Sequence, residues 1–254
     1  AGDHAYIFQQ PDGRIVFAIP YERDFTLIGT TDLLYEGDLD DVAISPKEIA
    51  YLIEAASRYF SSAITEDEIV SSYSGVRPLY EDHAASNSTV TRDYVFELDK
   101  EGGAPILSVY GGKITTYRKL AEHALEKLGR VLALPGKAWT ADAPLPGGDM
   151  PDGDFAAFLW RISERYEWLP PEMLLRLARA YGTRIEAVIG SAGSLGELGA
   201  HMGGNLFEAE LQYLVDAEYA RTAQDVLWRR SKLGLHLPVG AQQAVADWFA
   251  AQTS

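Results

Sequence analysis

Residues 111–116 read Gly-Gly-Lys-Ile-Thr-Thr and separate an apolar, strand-like run from a helical pattern. The two glycines have no side chain, so a ligand or a flat ring can approach the backbone closely. A helix start adds unpaired N–H groups and a partial positive charge, and Lys113 adds a full one. The segment therefore predicts a site for an anionic ligand. Leu107 and Ile114 break the G-x-x-x-x-G-K-[ST] pattern, which excludes a nucleoside triphosphate loop.

Two arginines also stand at the ends of strand-like segments. Arg77 precedes Pro78, which favours extended backbone at the arginine. Arg92 lies on the same face of the predicted strand 90–98 as Tyr94, because side chains alternate along a strand. A single cation of this kind commonly reaches solvent and pairs with a carboxylate. Three cations beside glycine or proline at strand ends favour an anion site instead.

The composition limits the possible partners and cofactors. The chain has 254 residues, 22 Lys and Arg against 37 Asp and Glu, and a net charge of −15, so nucleic acid is repelled overall. Because it contains no cysteine, disulfides and thiolate catalysis are excluded. No histidine pair has H-x-x-x-H spacing, so no metal site is predicted. The sequence has neither a long apolar run nor a signal peptide, and a cytoplasmic location is expected.

The first part of the chain predicts an α+β unit with a mixed, largely antiparallel sheet and helices on one side. The turn at 10–13 predicts a hairpin, and Ser45 with Glu48 predicts a capped helix start. A helix of about 18 residues is expected to follow Lys113. The predicted strands are 6–9, 14–21, 25–30, 69–73, 90–98 and 106–110.

The second part of the chain predicts an all-α bundle. Residues 134–153 are rich in Pro, Gly and Ala without periodicity, and they read as a linker. Everything beyond is predicted to be helical, which gives domains 1–146 and 147–254. The predicted helices are 154–166, 171–181, 184–189, 207–220, 222–232 and 240–251.

In their order along the chain, these motifs resemble the C-terminal half of the FAD-dependent glycerol-3-phosphate dehydrogenases, respiratory flavoenzymes of the D-amino-acid-oxidase-like superfamily. The resemblance extends over nearly the whole chain, and the length and order of the motifs make it specific. An insertion usual in the related α-glycerophosphate oxidases is not seen. The segments that carry the resemblance are 4–7, 28–32, 73–79, 91–94, 111–124, 145–148 and 225–230.

The resemblance implies a substrate, a cofactor and roles for named residues. It implies oxidation of glycerol-3-phosphate to dihydroxyacetone phosphate, by hydride transfer to FAD and then electron transfer to quinone. Arg77 and Arg92 would bind the substrate phosphate, because a planar guanidinium binds phosphate oxygens in a bidentate way. Lys113 would serve as the catalytic residue, lying near both the flavin and the substrate and stabilising negative charge as the flavin is reduced. The implied flavin contacts are Gly111, Gly112, Lys113, Ile114, Thr115 and Thr116.

Several alternatives stay open at this level. The hydroxyls of Thr115 and Thr116 either face a ligand or only cap the helix. His123 is interpreted as structural, and the general base is expected to come from outside this chain. The segment 228–232 is basic, which fits either compensation of the helix dipole or contact with a lipid surface.

The sequence departs from the family pattern in one respect. G-x-G-x-x-G, the motif that holds the FAD pyrophosphate, does not occur in it. We therefore expect the chain to be a fragment that is inactive alone and does not retain FAD. Two rival hypotheses are a stand-alone anion-binding or interaction module without redox chemistry, and an oxidase acting on amino acids. For the intact enzyme, peripheral membrane association and a homodimer are further expectations.

Overall fold

The computed structural model describes residues 4–78, 93–134 and 136–252. The chain divides into two compact units, Ala1–Ala143 and Pro144–Ser254. The first contains antiparallel sheets with helices, and the second is mainly helical. The predicted fold class, α+β followed by a helical domain, is confirmed. The exact boundary after residue 146 stays a prediction.

The first sheet is the antiparallel meander that the turn sequence predicts. Strands β1 (Tyr6–Gln9), β2 (Ile15–Tyr21) and β3 (Phe25–Gly29) pair in the order β1-β2-β3. The β1–β2 turn places Gly13 at φ +82°, where a side chain would be strained. The sheet ends inside the motif segment 28–32, and Thr31 and Asp32 follow shortly after its last strand.

Helix α1 (Pro46–Ser57) covers one face of this sheet. Its start has the predicted capping box, in which Ser45 accepts from the Glu48 N–H and the Glu48 side chain accepts from the Ser45 N–H. The small core beneath consists of Phe8, Val16, Ala18 and Ala55. The other face of the sheet exposes Ile7, Ile15 and Phe17.

Glu48 also connects α1 to the segment that follows β3. The Thr31 hydroxyl donates to Glu48 Oε1 at 2.6 Å, while the Ser45 N–H donates to Oε2 at 2.9 Å. These bonds, with the Thr31 bond largest, hold the pKa of Glu48 below its ordinary value. A carboxyl whose folded pKa is lowered adds stability above its unfolded pKa, and this stability is lost as pH falls through the folded pKa.

We therefore expect Glu48→Ala to destabilise the first unit at neutral pH by about 1 kcal/mol, the usual value of a lost cap. The difference from the unchanged chain should shrink as the pH falls below about 4, near the ordinary glutamate pKa. NMR signals of α1 during urea unfolding would measure it. The control is Glu54→Ala, which removes an exposed ion pair with Arg58 from the same helix. An equal loss in both variants would contradict a special role for Glu48.

The second sheet is a hairpin that leads into the glycine–lysine segment. Strands β4 (Tyr94–Asp99) and β5 (Ile106–Gly111) pair antiparallel, and helix α2 (Tyr117–Leu128) follows a 3₁₀ turn. The strand predicted at 69–73 is wrong, because this segment is irregular. A strand needs a partner for its backbone groups, and within the described ranges the sheets do not include it.

The second unit packs its helices around one large apolar core. The prediction that everything here is helical is wrong at two short strands, β6 (His201–Gly203) and β7 (Leu206–Phe207), which form a hairpin. The helix predicted at 222–232 is a π-helix over Asp225–Arg230. The remaining helices are α3 (Phe155–Arg165), α4 (Pro171–Tyr181), α5 (Ile185–Ile189), α6 (Glu208–Glu218) and α7 (Val239–Gln252).

The glycines of the 145–148 motif have a packing role in this unit. A Cβ at Gly182 would lie 1.9 Å from the Gly147 carbonyl oxygen, and that oxygen accepts a hydrogen bond from the Thr183 N–H at 3.0 Å. The two backbones therefore approach at a distance that only glycine allows. This motif joins the end of α4 and is structural.

Candidate functional site: the glycine–lysine corner and the Arg77–Asp32 pair

The glycine–lysine corner, residues 111–116, begins where β5 ends. Gly111 and Gly112 have φ values of +67° and +93°, a region that residues with side chains avoid. Tyr94 pairs with Gly111 in the ladder. A Cβ at Gly112 would lie 3.3 Å from the Tyr94 Cβ and 3.2 Å from Leu120 Cδ1. Both the backbone conformation and the packing between β4 and α2 therefore require glycine here.

Lys113 turns the chain from the strand into the helix. Its carbonyl accepts from the Thr116 N–H at 2.9 Å and from the Thr116 hydroxyl at 2.8 Å, which forms the 3₁₀ turn Ile114–Thr116. The Lys113 side chain is exposed. Ile114 is 88% exposed, so an apolar side chain and a cation stand side by side at the surface of this unit.

The capping interpretation of Thr116 is wrong. Its hydroxyl donates backwards to Lys113, and among the described residues no side chain caps α2 or the 3₁₀ turn before it. The Thr116 and Tyr117 N–H groups instead donate to the Lys113 and Ile114 carbonyls. The positive end of the helix dipole and the Lys113 charge still make a positively charged corner suited to an anionic or electron-rich group.

A contact between Tyr94 and His123 holds the elements on either side of the corner together. The Tyr94 hydroxyl lies 2.5 Å from His123 Nδ1, and the centroids of the two rings are 5.9 Å apart. The pair joins β4 to α2, the strand and helix that flank Gly112. This contact agrees with the structural interpretation of His123.

Arg77 forms the second part of the candidate site. Its Nη1 lies 3.3 Å from Oδ2 of Asp32, and the arginine side chain remains 53% exposed. The pair brings together the motif segments 28–32 and 73–79, which lie far apart in the sequence. Asp32 lies at the end of the motif segment 28–32, three residues after β3, and this place in the sequence does not by itself indicate a pairing with Arg77.

The predicted site residues thus fall into two groups. Gly111 to Thr116 form one continuous corner after β5, while Arg77 pairs with Asp32 after β3. Arg92 lies outside the described residues. Among the described side chains, no group of three His, Asp or Glu residues is arranged to hold a metal ion. The site roles of all these residues stay predictions.

The basic segment 228–232 makes contacts inside its own unit. Arg230 donates to the Glu218 carbonyl at 2.9 Å and to Asp225 Oδ1 at 3.1 Å, and Lys232 Nζ donates to the Trp228 carbonyl at 2.5 Å. These bonds support the structural interpretation of the segment. None of the helices in the described ranges combines the length and apolar character needed to span a bilayer.

We expect Gly112→Ala to lower the stability of the first unit by about 1–2 kcal/mol. The added methyl would meet Tyr94 and Leu120, and alanine is strained at this φ. The thermal midpoint would measure the effect. The control is Gly103→Ala in the same hairpin, where a Cβ meets nothing within 4 Å. Equal behaviour of the two variants would contradict the structural requirement at Gly112.

The family models divide the chain much as the structure does. Residues 1–118 match the family described as FAD dependent oxidoreductase, and residues 138–253 match the C-terminal domain of alpha-glycerophosphate oxidase. The chain therefore belongs to the family of FAD-dependent oxidoreductases that carry this C-terminal domain. This result confirms the resemblance inferred from the motifs.

Three curated relatives are similar to this chain along nearly its whole length. The chain is 47% identical over 249 residues to a glycerol-3-phosphate dehydrogenase of Pseudomonas aeruginosa, covering 98% of the chain and 48% of that protein. It is 46% identical to the aerobic glycerol-3-phosphate dehydrogenase of Escherichia coli over 98% of the chain and 50% of that protein. A D-erythritol 1-phosphate dehydrogenase of Brucella abortus is 47% identical, with 98% and 50% covered. The chain thus spans about half the length of each relative.

Proposed function

We propose that this chain is the substrate-domain and C-terminal part of an FAD-dependent enzyme that oxidises sn-glycerol-3-phosphate to dihydroxyacetone phosphate. The observation that carries the proposal is the similarity to two glycerol-3-phosphate dehydrogenases, at 46–47% identity along 98% of the chain. The positively charged corner and the exposed Arg77 are compatible with a phosphorylated substrate and an electron-rich cofactor.

The corner fits the role of a flavin contact. Two glycines with left-handed φ allow close approach to the backbone, and the helix start and the exposed Lys113 bring positive charge to the same place. Gly111, Gly112 and the Ile114–Thr116 turn would border the ring system, and Lys113 would add its charge beside it. When bound, FAD would supply the hydride acceptor for oxidation at C2 of the substrate.

The chain's own residues then bind and orient the substrate. Arg77, with Arg92, would take the phosphate through paired N–H groups, which fixes the distance between phosphate and C2. Lys113 would lie near both the substrate and the flavin, where its charge would stabilise the negative charge that develops as the flavin is reduced. We do not assign the general base to His123, because its Nδ1 is engaged with Tyr94.

Electron transfer to quinone, peripheral membrane association and a homodimer belong to the proposal for the whole protein. The proposal also includes a cytoplasmic location. The 254-residue chain alone is expected to be inactive, since the motif that holds the FAD pyrophosphate is absent from its sequence. Reduction of a quinone analogue compared with oxygen consumption would identify the acceptor.

A second candidate substrate is D-erythritol 1-phosphate. A relative named for this substrate matches the chain as closely as the glycerol-3-phosphate dehydrogenases do, at 47% identity. Both substrates are polyol phosphates, so the same arginines would serve both. The two substrates would differ in the space that they need in the site beyond the reacting carbon.

The test is a dye-linked assay of the full-length protein with glycerol-3-phosphate, D-erythritol 1-phosphate, glycerol and a simple amino acid. The proposal expects the highest kcat/KM with glycerol-3-phosphate and almost no turnover of glycerol, which lacks the phosphate. Preference for D-erythritol 1-phosphate would favour the second candidate. Turnover of the amino acid alone would support the rival oxidase, and a full-length protein without FAD would support the non-catalytic module.

A further inference from the structure

We propose that Asp32 is a positioning residue that sets the orientation of Arg77 for anion binding; this inference rests on the proposed function. Asp32 Oδ2 accepts from Arg77 Nη1 at 3.3 Å, across 45 positions of sequence. Asp32 thus fixes one edge of the Arg77 guanidinium, through Nη1. Half-exposed arginines sample many rotamers, and one fixed edge reduces that freedom.

The segment that carries Asp32 is itself held in place. Its neighbour Thr31 donates to Glu48 Oε1 at 2.6 Å. The other oxygen of Glu48 accepts from the Ser45 N–H and hydroxyl at 2.9 and 2.7 Å, within the capping box of α1. A continuous set of bonds thus runs from the helix cap through Thr31 to the residue that contacts Arg77.

If Asp32 acted only through its negative charge, it would weaken anion binding, which is the opposite of what a positioning role predicts. A carboxylate close to an anion site repels the ligand, so its removal should strengthen binding if it acted only through its field. A carboxylate that orients an arginine strengthens binding instead, because the bidentate geometry is formed before the ligand arrives. The two effects have opposite signs, which makes the proposal testable with one substitution.

The test compares steady-state kinetics of the full-length protein carrying Asp32→Asn, Asp32→Glu and Arg77→Ala, and the double variant Asp32→Asn/Arg77→Ala. We expect Asp32→Asn to raise KM for glycerol-3-phosphate roughly tenfold, the value of one charge-assisted hydrogen bond, with kcat and bound FAD unchanged. Asp32→Glu should recover part of the loss. In the Arg77→Ala background, Asp32→Asn should raise KM clearly less than it does in the unchanged protein, because the two residues are coupled.

The matched control is Asp12→Asn, which breaks an exposed Asp12–Arg14 ion pair of 2.6 Å at the first hairpin. It should leave KM unchanged. A second variant, Thr31→Val, removes the hydroxyl bond to Glu48 and should raise KM a few-fold in the same sense. This variant keeps the proposal testable if Asp32→Asn does not fold.

A lowered or unchanged KM in Asp32→Asn, or a full additive effect in the double variant, would overturn the positioning role. If Asp32→Asn does not fold, an unchanged KM in Thr31→Val would overturn it equally. Failure of the proposed function is a separate result, because the unchanged protein would then not oxidise glycerol-3-phosphate in the first place.

Discussion

Glu210→Ala is expected to lower the free energy of unfolding of the second unit by about 3–5 kcal/mol, the usual effect of breaking a buried ion pair from one side. Glu210 is 2% exposed, and both its oxygens accept from Arg176, at 2.7 and 2.6 Å. The Tyr181 hydroxyl donates to Oε1 at 2.7 Å. The substitution would remove the carboxylate to which both Nη atoms of the largely buried Arg176 donate.

The surroundings of Glu210 explain why the effect is large. Burial first, and then the charge of Glu210, raise the pKa of Tyr181 far above its ordinary value, so the hydroxyl stays protonated as a donor. Arg176 Nη2 also donates to the Asn205 carbonyl at 2.7 Å, between β6 and β7. One carboxylate therefore links α4, α6 and the hairpin.

Urea unfolding of the 254-residue chain, followed by tryptophan fluorescence, would measure this effect. The signal reports mainly on the second unit, which holds four of the five tryptophans: Trp160, Trp168, Trp228 and Trp248. The control is Glu186→Ala, which breaks an ion pair with Arg165 whose two side chains are more than half exposed, and it should cost less than about 1 kcal/mol. A similarly small loss for both variants would contradict the account of Glu210.

Arg77→Ala in the full-length enzyme is expected to raise KM for glycerol-3-phosphate about 100-fold, with little change in bound FAD. Two charge-assisted hydrogen bonds to one phosphate account for an effect of this size. Arg77→Lys should recover only part of the loss, because an ammonium cannot bind two phosphate oxygens in the same plane.

The matched control for this substitution is Arg14→Ala. Arg14 is also a half-exposed arginine paired with one aspartate, but it lies at the first hairpin. Its loss should leave KM unchanged. If Arg77→Ala lost flavin and substrate affinity together, Arg77 would be structural and not a substrate contact.

Local signals in the sequence predicted much of the fold. The Ser45–Glu48 capping box and the turn before Gly13 each depend on residues within a few positions, and both are confirmed. The strand predicted at 69–73 is wrong because its apolar run resembles a strand but has no partner in the described sheets. The β6–β7 hairpin was missed because two- and three-residue strands carry almost no periodicity.

One part of the candidate site could be predicted from the sequence, and the other part could not. The corner at 111–116 was predictable because the strand, glycines and helix are consecutive. The pairing of Asp32 with Arg77 depends on the folding of segments far apart, and one sequence does not encode it visibly. Capping by Thr116 was one of two open alternatives, and it is wrong because the hydroxyl bonds back to Lys113.

The most direct test of the central claim is anaerobic addition of sn-glycerol-3-phosphate to the full-length protein, with the visible absorbance of its FAD recorded. We predict rapid, complete bleaching of the flavin together with formation of dihydroxyacetone phosphate, and no bleaching with glycerol. A full-length protein that carries FAD but is not reduced by glycerol-3-phosphate would contradict the proposed function.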